Sequence, residues 1–515
     1  MTAPTTTTYR SGLRPGHDGF AQLLRAEWTK FMTVRGWMIG MMTAALATVG
    51  IALLDHSSCG GVVTPGGTSV PGCSAPAGPG GEAVTDTFYF VHRPLAGTGS
   101  LSVRVTSLTG PYSGPRAGLA PWSKAGIMIR ANTRPGSAYA AMLITAGHGV
   151  RMQYDYTGDI AGRAGAVSAA SPRWLRLTRS RDTITGYESA DGRHWSIVGA
   201  VHLAGLPATV QAGLFAASPV AAQTTAQSVG GSSGTGSITP ATAVFDHIRL
   251  RGQPPGGAWA GDSVGGGGGT AGTGFRRSGG AISVSGSGDI APDVPAAGGG
   301  GFTIGHTLLG AIAGLIAALV VAAMFMTAEY RRGLILVTLT ASPRRGRVLA
   351  AKAVVIGAVT FIAGLAGASA AAVLGERLLR SNGNVVLPAG PLTDLRVVAG
   401  TAALLAVAAV FALALGALLR NSALAVTAAV ATIVLPYLLA TTVLPAALAD
   451  WLLRLTPAAA FAIQQTLPPY RQVSASYTPA NGYFPLTPWA GFAVLCGYAA
   501  LALGLAVIVL RRRDA

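Results

Sequence analysis

Six stretches of this chain, 36–54, 304–327, 350–374, 397–419, 423–444 and 488–510, are almost continuously apolar. Each is close to the ~20 residues that a helix needs to cross roughly 30 Å of hydrocarbon. Their glycines and alanines allow close helix packing inside a bilayer. Pro436 and Pro445 stand where they would kink or end the fifth stretch. Residues 36–54 do not read as a cleavable signal peptide, because a 35-residue leader precedes them and no small-x-small site follows.

Charge is scarce and unevenly placed. Only 11% of residues are charged, against about 25% in ordinary soluble domains. The net charge of +18 comes from arginine, since Lys30, Lys124 and Lys352 are the only lysines. That bias, with the excess of Ala and Gly, points to a high-GC bacterial genome. With both termini inside, the segments 1–35, 328–352, 420–422 and 511–515 hold five, six, one and three basic residues. The short outside loops, 375–396 and 445–487, hold three and two. The positive-inside rule therefore predicts cytoplasmic termini and an extracellular segment 55–303. Lipid headgroups account for basic residues beside spans, so nucleic acid is not a predicted partner.

The outside segment divides into a linker at 55–83, a strand-rich region at 84–252 and a Gly-rich stretch at 253–303. Residues 101–108 alternate, and 125–131 and 138–145 read as half-buried strands. In 183–200, Asp191-Gly192 marks a turn between two alternating strands. Strands at 210–217 and 242–250 complete the pattern of a β-sandwich. With 18 glycines in 51 positions, 253–303 reads as a flexible tether, interrupted by a short strand pair within 274–290. Cys59 and Cys73 flank a Gly/Pro-rich turn and could form a disulfide in an oxidising exterior, whereas Cys496 reads as a packing residue in the last span.

Tests for chemistry are mostly negative. None of the three lysines lies in a phosphate-cradling glycine loop, so ATP hydrolysis is not expected of this chain. The eight histidines show no zinc-type spacing, and His148, His194, His202 and His247 read as surface or turn residues, so no metal is expected. Asp155, Asp159, Glu188 and Asp191 are the carboxylates available for glycoside hydrolysis, but the turn already explains Asp191. The nucleophile-elbow pattern at 230–234 lies in a Gly/Ser loop and is chance. Residues 353–375, 397–419 and 488–510 hold no ionisable Asp, Glu, Lys, Arg or His, and the second span has only His306. Ion-driven carriers place such groups at membrane depth. An apolar-walled bundle better suits an amphiphilic substrate, or work driven from outside the bilayer.

Two resemblances follow. Residues 122–130, beginning Trp122-Ser123-Lys124, with 174–177, the hairpin ending in Trp195, and Phe245-Asp246, resemble the concanavalin/laminin-G-like jelly rolls. Such domains often bind glycans, and Trp122, Trp174 and Trp195 either fill the sandwich core or contact a cell-wall glycan. The expected fold is thus a multi-pass α-helical membrane protein with six transmembrane helices and an inserted all-β extracellular jelly-roll sandwich.

Residues 23–36, 329–352 and 451–465 together resemble the type-2 permeases of ATP-binding-cassette exporters, in a form common in actinobacteria. Residues 23–36 are similar to the amphipathic membrane-surface helix, with Phe20, Leu23, Leu24, Trp28, Phe31 and Val34 on one arc. Residues 329–352 are similar to the coupling loop, here 328–349, in which Glu329 and Gly333 match a Glu…Gly pattern and Pro343-Arg344-Arg345-Gly346-Arg347 precedes Lys352. Residues 451–465 resemble part of the external segment with short helices, here 445–487. The resemblance implies a permease moving an amphiphilic or envelope-related substrate outward. It also implies a second permease copy, and a separate ATPase subunit that carries the ATP and Mg. Glu329, Arg331, Arg332, Gly333, Pro343, Arg344, Arg345 and Arg347 would then form the ATPase-coupling surface, or the arginines would serve as anchors alone. Glu27 falls within the apolar arc beside Trp28. It could snorkel, pair with Lys30, or meet an arginine of 331–347. Such permeases usually join the first two spans by a short loop, whereas here about 250 residues intervene. A membrane-anchored glycan-binding sensor or adhesion protein, or a tethered glycosidase, are the alternatives.

Overall fold

The computed structural model describes residues 19–54, 62–63, 69–70, 75–110, 119–219, 221–226, 232–237, 240–253, 258–266, 272–295, 301–331, 333, 345–473 and 477–512. Helix α1, Phe20–Thr33, precedes α2, Arg35–Leu53. After the β domain come α3, Ala311–Arg331, α4, Arg345–Ser381, α5, Pro391–Leu419, and α6, Ser422–Thr442. Then follow α7, Ala446–Leu455, and α8, Pro488–Arg512. Six of them, α2 to α6 and α8, are long and apolar enough to cross a membrane.

Several helices outrun their apolar stretches. Helix α4 has 37 residues, because it starts with Arg345 and ends through Glu376, Arg377 and Arg380. Hydropathy detects only the part that meets lipid. Helix α5 starts at Pro391, whose fixed φ suits a first helical turn, with Asp394 near the positive end of the helix dipole. Helix α6 continues through Pro436 and ends at Thr442, before Pro445 caps α7. A bend of 105° joins α7 to the 3-10 helix Pro457–Gln464, which is almost wholly buried.

The bundle core centres on α3 and α5, where Leu315, Leu319 and Ala322 meet Leu404, Ala408 and Ala412. Helix α2 lies at the periphery, and Ile39, Met42 and Leu46 are each more than 60% exposed, as lipid-facing positions require. A Cβ on Gly314 would collide with Thr48 Oγ1 and crowd the Ala44 carbonyl, so this glycine sets the close approach of α2 and α3.

The β domain is built on a thirteen-stranded antiparallel sheet. Its spine is the 22-residue strand Phe88–Thr109. The first half pairs with Thr209–Ala217 and Ala260–Val264, the second with Arg173–Ser180 and Ala241–Gln253. Gly97, at φ +62°, marks the change of direction between the halves. The sheet thereby folds over Val91, Leu101, Val103, Ile127, Met142 and Leu175.

A second, smaller cluster on the other side of the sheet includes Phe88, Phe90, Met128, Tyr139, Leu143 and Phe215. It makes the strands Lys124–Arg130 and Tyr139–Thr145 buried at every position, not half-buried as their sequence suggests. The cover comes from Val84 and Ile290, on strands entering and leaving the domain. Those strands, Val84–Asp86 and Ile290–Pro292, pair with each other.

The Gly-rich stretch 253–303 is not simply a tether. It supplies Ala260–Val264 and the hairpin Gly274–Ser278/Ala281–Gly286 to the main sheet, and Ile290–Pro292 beside it. Its glycines serve the turns, as at Gly279 and Gly280 with positive φ, while Ile282 and Val284 alternate into the core.

Candidate functional site

At the end of the bundle where α1 and α2 begin and α3, α5 and α8 finish, four charged side chains meet. Lys352, on the second turn of α4, is fully buried. Its Nζ donates to Glu27 Oε2 and to Glu329 Oε1, each at 2.6 Å. Lys30 also contacts Glu329 Oε1. The Lys352 ammonium lies 4.9 Å from the Phe325 ring centroid. Phe325 in turn meets Phe31 and Trp37 edge-on, at 5.6 and 6.0 Å.

Helical spacing assembles the group. Glu27 and Phe31 are one turn apart on α1, as Phe325 and Glu329 are on α3, so each acid is stacked over an aromatic. Two carboxylates and two ammoniums balance in charge. Desolvating them costs several kcal/mol per ion, roughly, and only this close pairing offsets it. Among the described residues Glu329 Oε2 has no hydrogen-bond partner.

The Glu27 partner is therefore Lys352, and neither Lys30 nor any described arginine of 331–347 forms an ion pair with it. Sequence reasoning overlooked Lys352 as a site residue. A lysine within RVLAAKAVV, in a chain almost lacking lysine, was the available signal.

Of the other positions expected to couple to an ATPase, Arg331, Gly333, Arg345 and Arg347 are described. Arg345 donates to the Leu510 carbonyl at 2.5 Å, tying the start of α4 to the end of α8. Arg331, Gly333 and Arg347 are exposed, and Gly333 has φ +66°. Arg420, at the end of α5, lies over Tyr330 at 5.2 Å. Arg332, Pro343, Arg344, Cys59 and Cys73 lie outside the described residues. Trp28 is 41% exposed and lines, with Leu24, Val354 and Ala358, a cavity of about 390 Å³.

Farther along the bundle, Phe361, Leu395, Ala399, Ile463, Trp489 and Phe492 line an almost wholly apolar cavity of about 420 Å³. Gln464 Nε2 donates to Thr401 Oγ1 at 3.1 Å, fixing the buried 3-10 helix against α5. The segment between α6 and α8 also touches the β domain. Gln472 Nε2 donates to the Tyr156 and Thr157 carbonyls at 3.2 and 3.0 Å. Tyr156 donates to Asp86 Oδ2 at 2.8 Å, where Arg130 also binds at 2.9 Å. Burial, helped by the Asp86 charge, pushes the Tyr156 phenol well above its ordinary pKa.

Trp122, Trp174 and Trp195 belong to neither apolar cluster of the β domain, whereas its fourth tryptophan, Trp259, packs against the larger one. Trp122 is buried against His148 at 3.9 Å, with Arg151 over its ring. Trp174 and Trp195 sit half-buried under Arg104 and Arg176. Trp174 alternates with the buried Leu175 on its strand, whereas Trp195 lies just before the strand Ser196–His202. His194 binds Asp191 within the turn, and His247 lies beside Asp246, so these histidines stay apart. Asp159 binds Arg151, Glu188 accepts from the Arg163 N–H, and Asp155 accepts from the Tyr139 N–H.

Six apolar spans with a large β domain inserted after the first define a multi-pass membrane protein. The family described as ABC-2 family transporter protein matches residues 180–515, and the chain belongs to that family. Membership implies a lipid bilayer and an ATPase partner. No curated protein matches the chain. It is similar to a functionally unknown protein from Saccharomyces cerevisiae, at 15% identity over 39% of this chain and 86% of that one, with TM-score 0.20. Likeness to the GH43 protein BlXynB from Bacillus licheniformis is 16% over 30% of this chain and 28% of that chain, TM-score 0.21. Scytalido-glutamic peptidase with a transition state analog inhibitor gives 7% over 39% and 98%, TM-score 0.24. At such TM-scores these likenesses carry neither fold nor activity over to this chain.

Proposed function

We propose that the chain is the permease subunit of an exporter, moving an amphiphilic or envelope-related substrate outward with ATP hydrolysed, with Mg, on a separate subunit. The observation that carries this reading is the Lys352 cluster. It joins the surface helix α1 to both helices that flank the basic loop, so a push on that loop reaches α1, α3 and α4 together. Arg331, Gly333, Arg345 and Arg347, with Arg332, Pro343 and Arg344, form the docking surface for the ATPase, whereas Glu329 is buried and acts through its pairs with Lys352 and Lys30. A second permease copy completes the transporter. In this reading both termini lie in the cytoplasm and 55–303 outside, which the positive-inside distribution of arginine supports. The apolar cavity beside Trp489 and Phe492 supports an amphiphilic substrate.

The test is purification of the tagged chain from its host in mild detergent, followed by assay for a stoichiometric P-loop subunit and ATP hydrolysis. Wild type is expected to retain the ATPase, and Arg344→Ala/Arg345→Ala to lose it. A chain that elutes alone from several detergents would overturn the reading in favour of an anchored sensor or adhesion protein.

A further inference from the structure

On the β domain, four arginines converge on one groove that has no carboxylate among its lining residues. Arg249 and Arg251 are two apart on the strand Ala241–Gln253, so both leave the same face, and both are exposed. Arg93 comes from the spine strand, and Arg277 from the hairpin Gly274–Ser278/Ala281–Gly286. With Trp259 and Ser278 they line a cavity of about 720 Å³.

The acids on the same strands are engaged elsewhere. Asp246 receives Arg104 Nε at 2.7 Å, and Asp262 faces His92 at 2.9 Å. Arg93 lies over Trp259 at 5.8 Å, yet its buried Nε has no hydrogen-bond partner among the described residues. The basic surface continues sideways, because Ser102 pairs with Arg249 on one side and Arg176 on the other. The spine strand runs between these two arginines, so they stand about 10 Å apart and add to one positive surface potential. An anionic ligand would offset that potential.

We infer that this groove binds an acidic polysaccharide. The guanidinium forks take its carboxylate or phosphate groups, and the Trp259 ring takes the apolar face of a sugar. A lipid headgroup fits less well. Trp259 precedes a strand whose other end, Gly265 and Gly266, lines a cavity shared with Val385 of the bundle. Six residues of extended chain span about 20 Å, which sets the groove away from that end. The choice of polysaccharide over nucleic acid rests on the proposed external placement of 55–303.

The test uses the full chain in phosphatidylcholine nanodiscs, titrated with fluorescent polygalacturonate. Neutral dextran and a single-stranded DNA oligomer serve as competitors. Binding is expected to weaken at least tenfold in Arg249→Gln/Arg251→Gln and in Arg93→Gln/Arg277→Gln. Arg276→Gln, next to the groove but outside its lining, should bind as wild type does. The charge-conserving Arg249→Lys/Arg251→Lys is expected to fall between, which separates lost recognition from lost folding. Unchanged affinity in both glutamine pairs, no polygalacturonate binding at all, or displacement by DNA at equal concentration would each overturn the inference. No ATPase enters the assay, so a failed groove leaves the permease reading standing, and the reverse.

Discussion

Lys352 and Glu27, 325 residues apart in the chain, meet at 2.6 Å inside the bundle. Their contact, shared with Glu329, makes α1 part of the bundle and not merely a helix resting on its surface.

Lys352→Met leaves Glu27 without its cation and Glu329 with Lys30 alone. Breaking one partner of a buried pair typically costs about 3–5 kcal/mol. The variant is expected to unfold at clearly lower temperature in detergent. Adding Glu27→Leu should recover most of the loss, because no unpaired charge then remains at that contact. Thermal unfolding of the single and double variants checks both, and an equal or larger loss in the double variant would count against mutual compensation.

Gly491, on α8, sits against the Ala459 carbonyl of the buried 3-10 helix, where a Cβ would collide. Gly491→Ala should therefore cost about 1–3 kcal/mol as overpacking, despite alanine's better helix propensity. A stabilised variant in the same unfolding assay would contradict that packing.

Gln472→Ala removes both hydrogen bonds to the Tyr156 and Thr157 carbonyls. Each is worth about 1 kcal/mol. Hydrogen exchange is expected to quicken around 154–158 and 470–473, with little change in the spine strand. Exchange unchanged at both places would mean that the contact does not hold the β domain to the segment between α6 and α8.

Asp246 titrates below the ordinary carboxylate range, chiefly because the Arg104 guanidinium binds its charged form, with His247 adding to the effect. A depressed folded pKa means that the unfolded chain binds more protons as acid is added. This contribution is full above the unfolded value of about 3.9 and is lost as pH falls through the folded one. Asp246→Asn should flatten the acid limb of the unfolding-temperature profile of the β domain while leaving its slope above about pH 6 alone.

The spans were legible because a run of apolar residues of bilayer length admits few structures. Ends were less so: Arg345, Glu376 and Arg380 continue α4 beyond what hydropathy detects. Glu27, Lys30 and Glu329 stood out in sequence as charges at an apolar boundary, but their pairing did not. Nothing local links Glu27 to Lys352, and three dimensions alone select a lysine over the many nearby arginines. In 253–303, the strand pair within 274–290 was legible, whereas glycine density masked the strand Ala260–Val264, which pairs with the spine. The strands expected at 125–131 and 138–145 read as half-buried because their other cover arrives from Val84 and Ile290, far away in sequence.

The pairing of Val84–Asp86 with Ile290–Pro292 has a consequence for how such a chain arises. Where the ends of an inserted domain lie side by side, the helices on either side need not move to admit it. For α2 and α3 the β domain is geometrically a hairpin loop, whatever its length. A protein of this family can then gain, lose or exchange such a module as one cassette, while the helical bundle keeps its own packing.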